Sequence, residues 1–100
     1  MPADPNQDPT LGIMLLPPLT ERQLSVLSVI HRKVMEQQTY PTQREVAGAL
    51  GFTQATTGQH IEALVKKGYL AKAAGEARRN MRLTSLAMER LKSQSQGTLL

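Results

Sequence analysis

Apolar residues recur at intervals of three and four along residues 20–36, the spacing that places side chains on one face of a helix. Threonine begins this stretch and also residues 42–50, and each threonine has Gln or Glu three residues later, as in a capping box. A third stripe runs from Thr53 to Lys67 and ends at Gly68. The pattern therefore predicts three helices. Their inward residues include Leu24, Leu27, Ile30, Val34, Val46, Ala47, Leu50, Thr57, Gly58, Ile61, Leu64 and Val65.

Only Gly51, Phe52 and Thr53 separate the second predicted helix from the third. Glycine adopts the left-handed conformation that ends a helix, and threonine caps the next one. A turn this short is typical of a helix-turn-helix pair whose helices cross at a steep angle. The sequence therefore predicts such a pair over residues 42–67.

After Gly68 the periodicity changes from that of a helix to that of a strand. Tyr69–Leu70 begins a short strand, a polar turn follows, and Met81–Leu83 alternates apolar and polar side chains. These segments predict a hairpin, or wing, with a basic loop, and Thr84 or Ser85 then begins a last helix. The predicted fold class is mainly α with a small β-hairpin: a winged helix-turn-helix domain with a three-helix core, a wing and a short C-terminal helix.

The two ends of the chain differ in composition from its middle. We expect residues 1–18 to be a flexible, proline-rich arm with one apolar segment, Leu11–Leu16, followed by a folded domain over residues 19–92 and a disordered tail over residues 93–100. The apolar segment is far shorter than the roughly 20 residues that cross a bilayer, so we expect no membrane association. The chain has no cysteine, which suits a reducing cytoplasm, and we expect a cytoplasmic protein.

The formal charge of +4 is unevenly distributed along the chain. Residues 1–50 contain four basic and five acidic side chains, whereas residues 51–100 contain eight basic and three acidic ones. The halves therefore carry −1 and +5, and the positive field lies on the second half. This asymmetry favours a polyanionic partner, and the alternative is an ordinary solubilising surface.

The segments LTERQ, YPTQREVAGALGF and HIEALVKKGYL closely resemble the DNA-binding domain of the LexA repressor family, over roughly residues 19–83. The stretch between Phe52 and His60 is one residue shorter than in that family. TTGQHIEALVKKGYL and RLTSLAMERL also resemble the recognition helix and final helix of MarR-type regulators. The resemblance implies a regulator, most simply a repressor, that binds double-stranded DNA selectively. LexA proteins also carry a self-cleaving domain, and because this chain stops where that domain would begin, we expect no self-cleavage.

In such a fold the third helix enters the major groove, where its early residues meet base edges. Placing Ile61 inward turns Thr56 and Gln59 outward, and the glutamine amide can both donate to and accept from adenine. We therefore predict that this helix and its cap contact DNA. The predicted contact residues are Thr53, Gln54, Ala55, Thr56, Gln59 and His60.

Two flanking groups are also expected to contact DNA. Thr42, Gln43 and Arg44 begin the second helix, where backbone amides and side chains can grip a phosphate, although capping alone explains the threonine. The wing contributes the cations Arg78 and Arg79 together with Asn80. Adjacent cations at a hairpin tip do little for folding, so we expect them to contact the minor groove or the phosphate backbone.

His60 has two interpretations. A metal site or a pH switch is one, but no second ligand stands at helical spacing and His31 lies in another helix. We therefore expect a histidine that packs or contacts phosphate, and no metal or cofactor. Carboxylates are scattered and no phosphate-binding loop or nucleophile arrangement is suggested by spacing, so we expect no enzyme activity.

A single module of this size buries little DNA surface, so we expect a homodimer on a two-part site, formed through Leu11–Leu16, Leu86–Leu91 or both. Small size without a sensor domain favours a regulator carried by a phage or plasmid. The alternative function is a winged helix that binds a protein partner instead of DNA, because fold does not determine function. The small, uncharged face of Ala55, Thr56, Gln59 and Ala63 is compatible with that alternative.

Overall fold

The computed structural model describes residues 17–75 and 77–99, with side chains described through residue 93. The elements, in chain order, are α1 (Glu21–Gln37), α2 (Gln43–Leu50), α3 (Gln54–Lys66), β1 (Leu70–Lys72), β2 (Met81–Leu83) and α4 (Ser85–Leu99). This order confirms the predicted winged helix-turn-helix architecture. The predicted apolar segment Leu11–Leu16 lies outside the described residues. No helix of the described parts is long and apolar enough to cross a membrane.

Both predicted capping boxes are present. The Oγ1 of Thr20 accepts a hydrogen bond from the backbone N–H of Gln23 at 3.1 Å, and the Gln23 amide oxygen accepts one from Thr20 N at 3.2 Å. The same reciprocal pair joins Thr42 and Glu45, at 3.1 and 2.8 Å. Each cap contributes about 1 kcal/mol of helix stability, because it satisfies amides that have no partner within the helix.

The turn between α2 and α3 is as short as the sequence predicts. Gly51 has a φ of 71°, in the left-handed region where a side chain is strained, and the N–H of Phe52 donates to Ala47 O at 3.0 Å. The Oγ1 of Thr53 accepts from Thr56 N at 3.0 Å and caps α3. The chain thus reverses and begins a new helix within three residues.

Helix α1 is central to the core. It contacts α2, α3, α4 and β2, and its buried face differs from the predicted stripe. Val26 and Val29 are buried, whereas Leu24 and Val34 are only half-buried. Thr57, on the inner side of α3, is 0% exposed, as its inward position predicts. The buried apolar cluster consists of Val26, Leu27, Val29, Ile30, Val46, Ile61, Leu64, Tyr69, Leu70, Met81 and Ala87.

The two strands pair antiparallel and form the wing. Leu70 lies opposite Leu83, and Lys72 lies opposite Met81. Leu70 and Met81 are buried and attach the hairpin to the core. The loop between the strands therefore projects from an anchored base.

The last helix is longer than the sequence predicts. Thr84 Oγ1 accepts from Ala87 N at 3.2 Å and caps the start of α4. The composition of residues 93–100 predicts a disordered tail, whereas the backbone is helical as far as Leu99. Residues 93–96 contain neither proline nor glycine, so nothing in them interrupts helical hydrogen bonding.

Candidate nucleic-acid interface

The fold brings separate predicted contact groups to one open cleft. The start of α2 forms one wall with Thr42–Arg44, and the wing forms the other with Arg78–Asn80. Gln54 and Ile61 of α3 also line the cleft. Residues from three separate segments of the sequence therefore share one surface.

Cations dominate the rim of this cleft. Arg44, Lys72 and Arg78 are exposed, and none forms an ion pair with an acidic side chain of the described residues. Their charges are hydrated and accessible to a polyanion. Lys72 was not among the predicted contact residues, because its proximity to the cleft depends on how the hairpin folds back onto α3.

The outward face of α3 is polar and uncrowded. Ala55 and Gln59 are exposed as predicted, whereas Thr56, which was predicted to point outward, is half-buried. Glu62 is exposed one turn beyond Gln59, and these two side chains line one depression on this face. Sequence reasoning missed Glu62, although its spacing of three residues from Gln59 places both on one helix face.

Helix α2 is tied to the first turns of α3. The Nε2 of Gln43 donates to the carbonyl of Gln54 at 3.0 Å. A Cβ at Gly58 would lie 2.9 Å from the same Nε2 atom. The glycine therefore leaves room for the Gln43 amide in its present position, at the end of a flexible side chain.

One of the two wing arginines has a partner within the domain. Arg79 Nη1 donates to Glu45 Oε1 at 2.8 Å and to the Tyr40 carbonyl at 2.9 Å, and its Nη2 donates to Glu45 Oε2 at 3.3 Å. The backbone N–H of Thr42 and the Arg79 guanidinium hold the pKa of Glu45 below its ordinary value. Arg79, one of the two wing cations expected to contact DNA, therefore has partners within the domain, and its side chain joins the wing to α2.

His60 packs inside the helix-turn-helix pair. Its ring centroid lies 5.9 Å from that of Phe52, with the planes inclined by 51°. The Arg22 guanidinium also lies over the Phe52 ring, 5.5 Å from its centroid. Of the two roles expected for His60, this geometry favours packing. Among the described residues no group of three or more His, Cys, Asp or Glu side chains could hold a metal ion.

A helix pair joined by a tight glycine turn, followed by a cationic hairpin, defines a winged helix-turn-helix domain with a face suited to nucleic acid. Residues 16–79 match the family model described as the LexA DNA binding domain, and the chain belongs to this family. The resemblance identified from the sequence is thereby confirmed. The MarR-like segment RLTSLAMERL lies beyond the matched residues.

Similar proteins carry the name LexA repressor. The chain is 43% identical to the repressor of Limosilactobacillus fermentum over 60 residues, covering 59% of this chain and 29% of the relative. It is 39% identical to that of Colwellia psychrerythraea over 64 residues, covering 63% and 30%. It is 47% identical to that of Thermobifida fusca over 55 residues, covering 54% and 22%. The chain thus spans less than a third of the length of these relatives.

Proposed function

We propose that this protein is a transcriptional repressor that binds double-stranded DNA selectively, with α3 in the major groove and the wing on the adjacent minor groove or backbone. The observation that carries the proposal is the cleft that joins the start of α2, the start of α3 and the wing. Exposed cations line its rim, and a polar helix face lies beside it. Such a surface combines phosphate contacts, which position a protein on the duplex, with groups that read bases.

Base reading is assigned to the outward face of α3. The amide of Gln59 can donate to and accept from the adenine edge, and the carboxylate of Glu62 can accept from the amino group of cytosine. Both side chains are exposed and one helical turn apart. Gln54 and Ala55 lie in the first turn, where the helix end approaches the groove.

Phosphate contacts are assigned to the flanking elements. Arg44 and the backbone amides at the start of α2 lie on one side of the cleft, where we assign them to the phosphates of one DNA strand. Lys72, Arg78 and Asn80 lie on the other side of the cleft. Thr42 contributes mainly as the cap, since its hydroxyl oxygen already accepts from Glu45 N. Three exposed cations predict a slope of log affinity against log salt of about −2.7 per domain.

We propose further that the repressor binds as a homodimer through α4. An apolar depression between α1 and α4 is lined by Ser28, His31, Met88, Glu89, Leu91 and Lys92. Met88 is 45% exposed, whereas Leu86 and Leu91 pack against the domain's own core. An antiparallel pair of α4 helices across a twofold axis would bring Glu89 of one copy near Lys92 of the other. A twofold dimer of this kind fits an inverted-repeat site.

The test is selection of duplexes from a randomised pool by the purified protein, with the bound DNA sequenced at physiological salt. Enrichment of one motif, arranged as an inverted repeat, is the expected result. Binding without enrichment that disappears as salt rises would contradict the proposal and favour a protein partner. The Gln59→Ala variant is the matched probe, because it should lose preference at one base position while it retains the salt dependence of the wild type.

A further inference from the structure

The wing is attached to the helix-turn-helix pair by a small polar cluster, the wing anchor, which consists of Tyr40, Glu45, Arg79 and Arg82. Tyr40 is its centre. Its carbonyl accepts from Arg79 Nη1 at 2.9 Å, its hydroxyl accepts from the backbone N–H of Leu83 at 3.1 Å, and the Arg82 guanidinium lies 4.7 Å from its ring centroid. A single residue before α2 thus holds the hairpin at three points.

Glu45 connects the wing anchor to the cap of α2. Its Oε1 accepts both from Thr42 N and from Arg79 Nη1, each at 2.8 Å, while Oε2 accepts from Arg79 Nη2 at 3.3 Å. The planar guanidinium fork matches the two carboxylate oxygens, a geometry that a lysine ammonium does not reproduce. The carboxylate therefore relates the position of the wing directly to the start of α2.

The backbone of Arg79 is also constrained. Its φ of 48° lies in the left-handed region, where glycine is the favoured residue. Its carbonyl accepts from Arg82 Nη1 at 2.6 Å. Glycine would suit this turn better by conformation alone, so what arginine adds at this position is its side chain.

We propose that Arg79 is a positioning residue, which with Glu45 and Tyr40 holds the wing so that Arg78 reaches DNA, and that Arg79 itself is not a phosphate contact. The inference rests on the proposed function and deepens it. Two considerations support it. The Arg79–Glu45 pair is neutral as a unit, and a wing ordered before binding avoids the entropy cost of ordering it on DNA.

Conservative variants separate a positioning role from a phosphate contact. Glu45→Gln removes a negative charge from the DNA-facing surface and keeps a residue type that completes a capping box. If Arg79 contacts phosphate, this change frees it and tightens binding. If Arg79 positions the wing, binding weakens by roughly three- to tenfold, the cost of ordering one or two groups. Arg79→Lys keeps the charge and loses the fork, so it should weaken binding similarly.

The experiment measures affinity for a selected duplex across a salt series for the wild type, Glu45→Gln and Arg79→Lys, with Glu36→Gln as the control. Glu36 is an exposed carboxylate near the end of α1, so its variant should bind at least as tightly as the wild type. We expect the two wing-anchor variants to bind more weakly with an unchanged salt slope. Tighter binding by Glu45→Gln, or wild-type binding by Arg79→Lys, would overturn the inference.

A second measurement, amide hydrogen exchange in the free protein, does not depend on DNA. The N–H groups of Leu83 and Ala73 donate to Tyr40 Oη and Asn80 O, so they report on the hairpin. In both variants we expect their exchange to be faster, while amides of α3 exchange as in the wild type. Unchanged hairpin exchange would refute the positioning role even if no duplex is bound. Faster exchange without any DNA selection would instead reject the proposed function and leave the attachment of the wing established.

Discussion

Arg78 at the tip of the wing offers a direct quantitative test of how the cationic cleft works. Each phosphate neutralised by a cation contributes about −0.9 to the slope of log affinity against log salt. With Arg44, Lys72 and Arg78 engaged, the slope per domain is about −2.7, and affinity falls about 40-fold between about 50 and 200 mM salt. Arg78→Ala reduces the slope to about −1.8 and the fall to about 12-fold.

Fluorescence anisotropy with a labelled duplex, repeated at five or more salt concentrations, measures this slope. Arg32→Ala is the matched control, because it removes the same charge from an exposed position of α1 that does not line the cleft. Thermal midpoints of both variants should equal that of the wild type. The reasoning is refuted if Arg78→Ala keeps the wild-type slope, or if Arg32→Ala reduces the slope equally, since net charge alone would then explain binding.

Three further predictions concern other parts of the domain. The pKa of Glu45 is lowered in the folded protein. The ionised carboxylate therefore contributes to stability above its ordinary pKa of 4.5, and this contribution is lost as pH falls through the lowered pKa. The difference in unfolding free energy between the wild type and Glu45→Gln, measured by urea unfolding, should shrink on acidification. Gly58→Ala together with Gln43→Ala should stabilise the domain by about 0.5–1 kcal/mol relative to Gln43→Ala alone, measured as a thermal midpoint, because helical alanine is favoured and the obstructing amide is gone. Met88→Glu should shift the protein to monomer in sedimentation experiments, because it places charge in the proposed dimer contact.

Each of these predictions has a contrary outcome. A constant difference between the wild type and Glu45→Gln down to the lowest accessible pH would show that the carboxylate charge does not contribute through its partners. For Gly58, equal midpoints in the single and double variants would mean that the missing side chain has another cause. A wild type that is monomeric at micromolar concentration, both alone and on DNA, would refute the α4 dimer whatever Met88→Glu does.

The helices and their ends could be predicted because they depend on neighbours in the sequence. Capping at Thr20 and Thr42 involves a partner three residues away, so the pattern of residue types is sufficient. The turn at Gly51 follows from the conformational freedom of glycine. The outward position of Gln59 follows from helical geometry once Ile61 is placed inward.

Roles of individual cations could not be predicted in this way. Arg78 and Arg79 are adjacent and chemically identical, yet within the described part of the chain only Arg79 meets a carboxylate, and that carboxylate is 34 residues away. Lys67 resembles an ordinary basic residue at a helix end, but its Nζ donates to Pro18 O and to Gln23 Oε1, both at 2.7 Å. Sequence spacing carries no information about such pairs.

Local sequence thus determined which segments are helical, where they begin and that Gln59 lies on the exposed face of α3. Only the tertiary structure decided which charges are accessible and which are used within the domain. The physical reason is that capping and helical periodicity act over three or four residues, whereas an ion pair such as Arg79–Glu45 exists only after the hairpin has packed beside the start of α2.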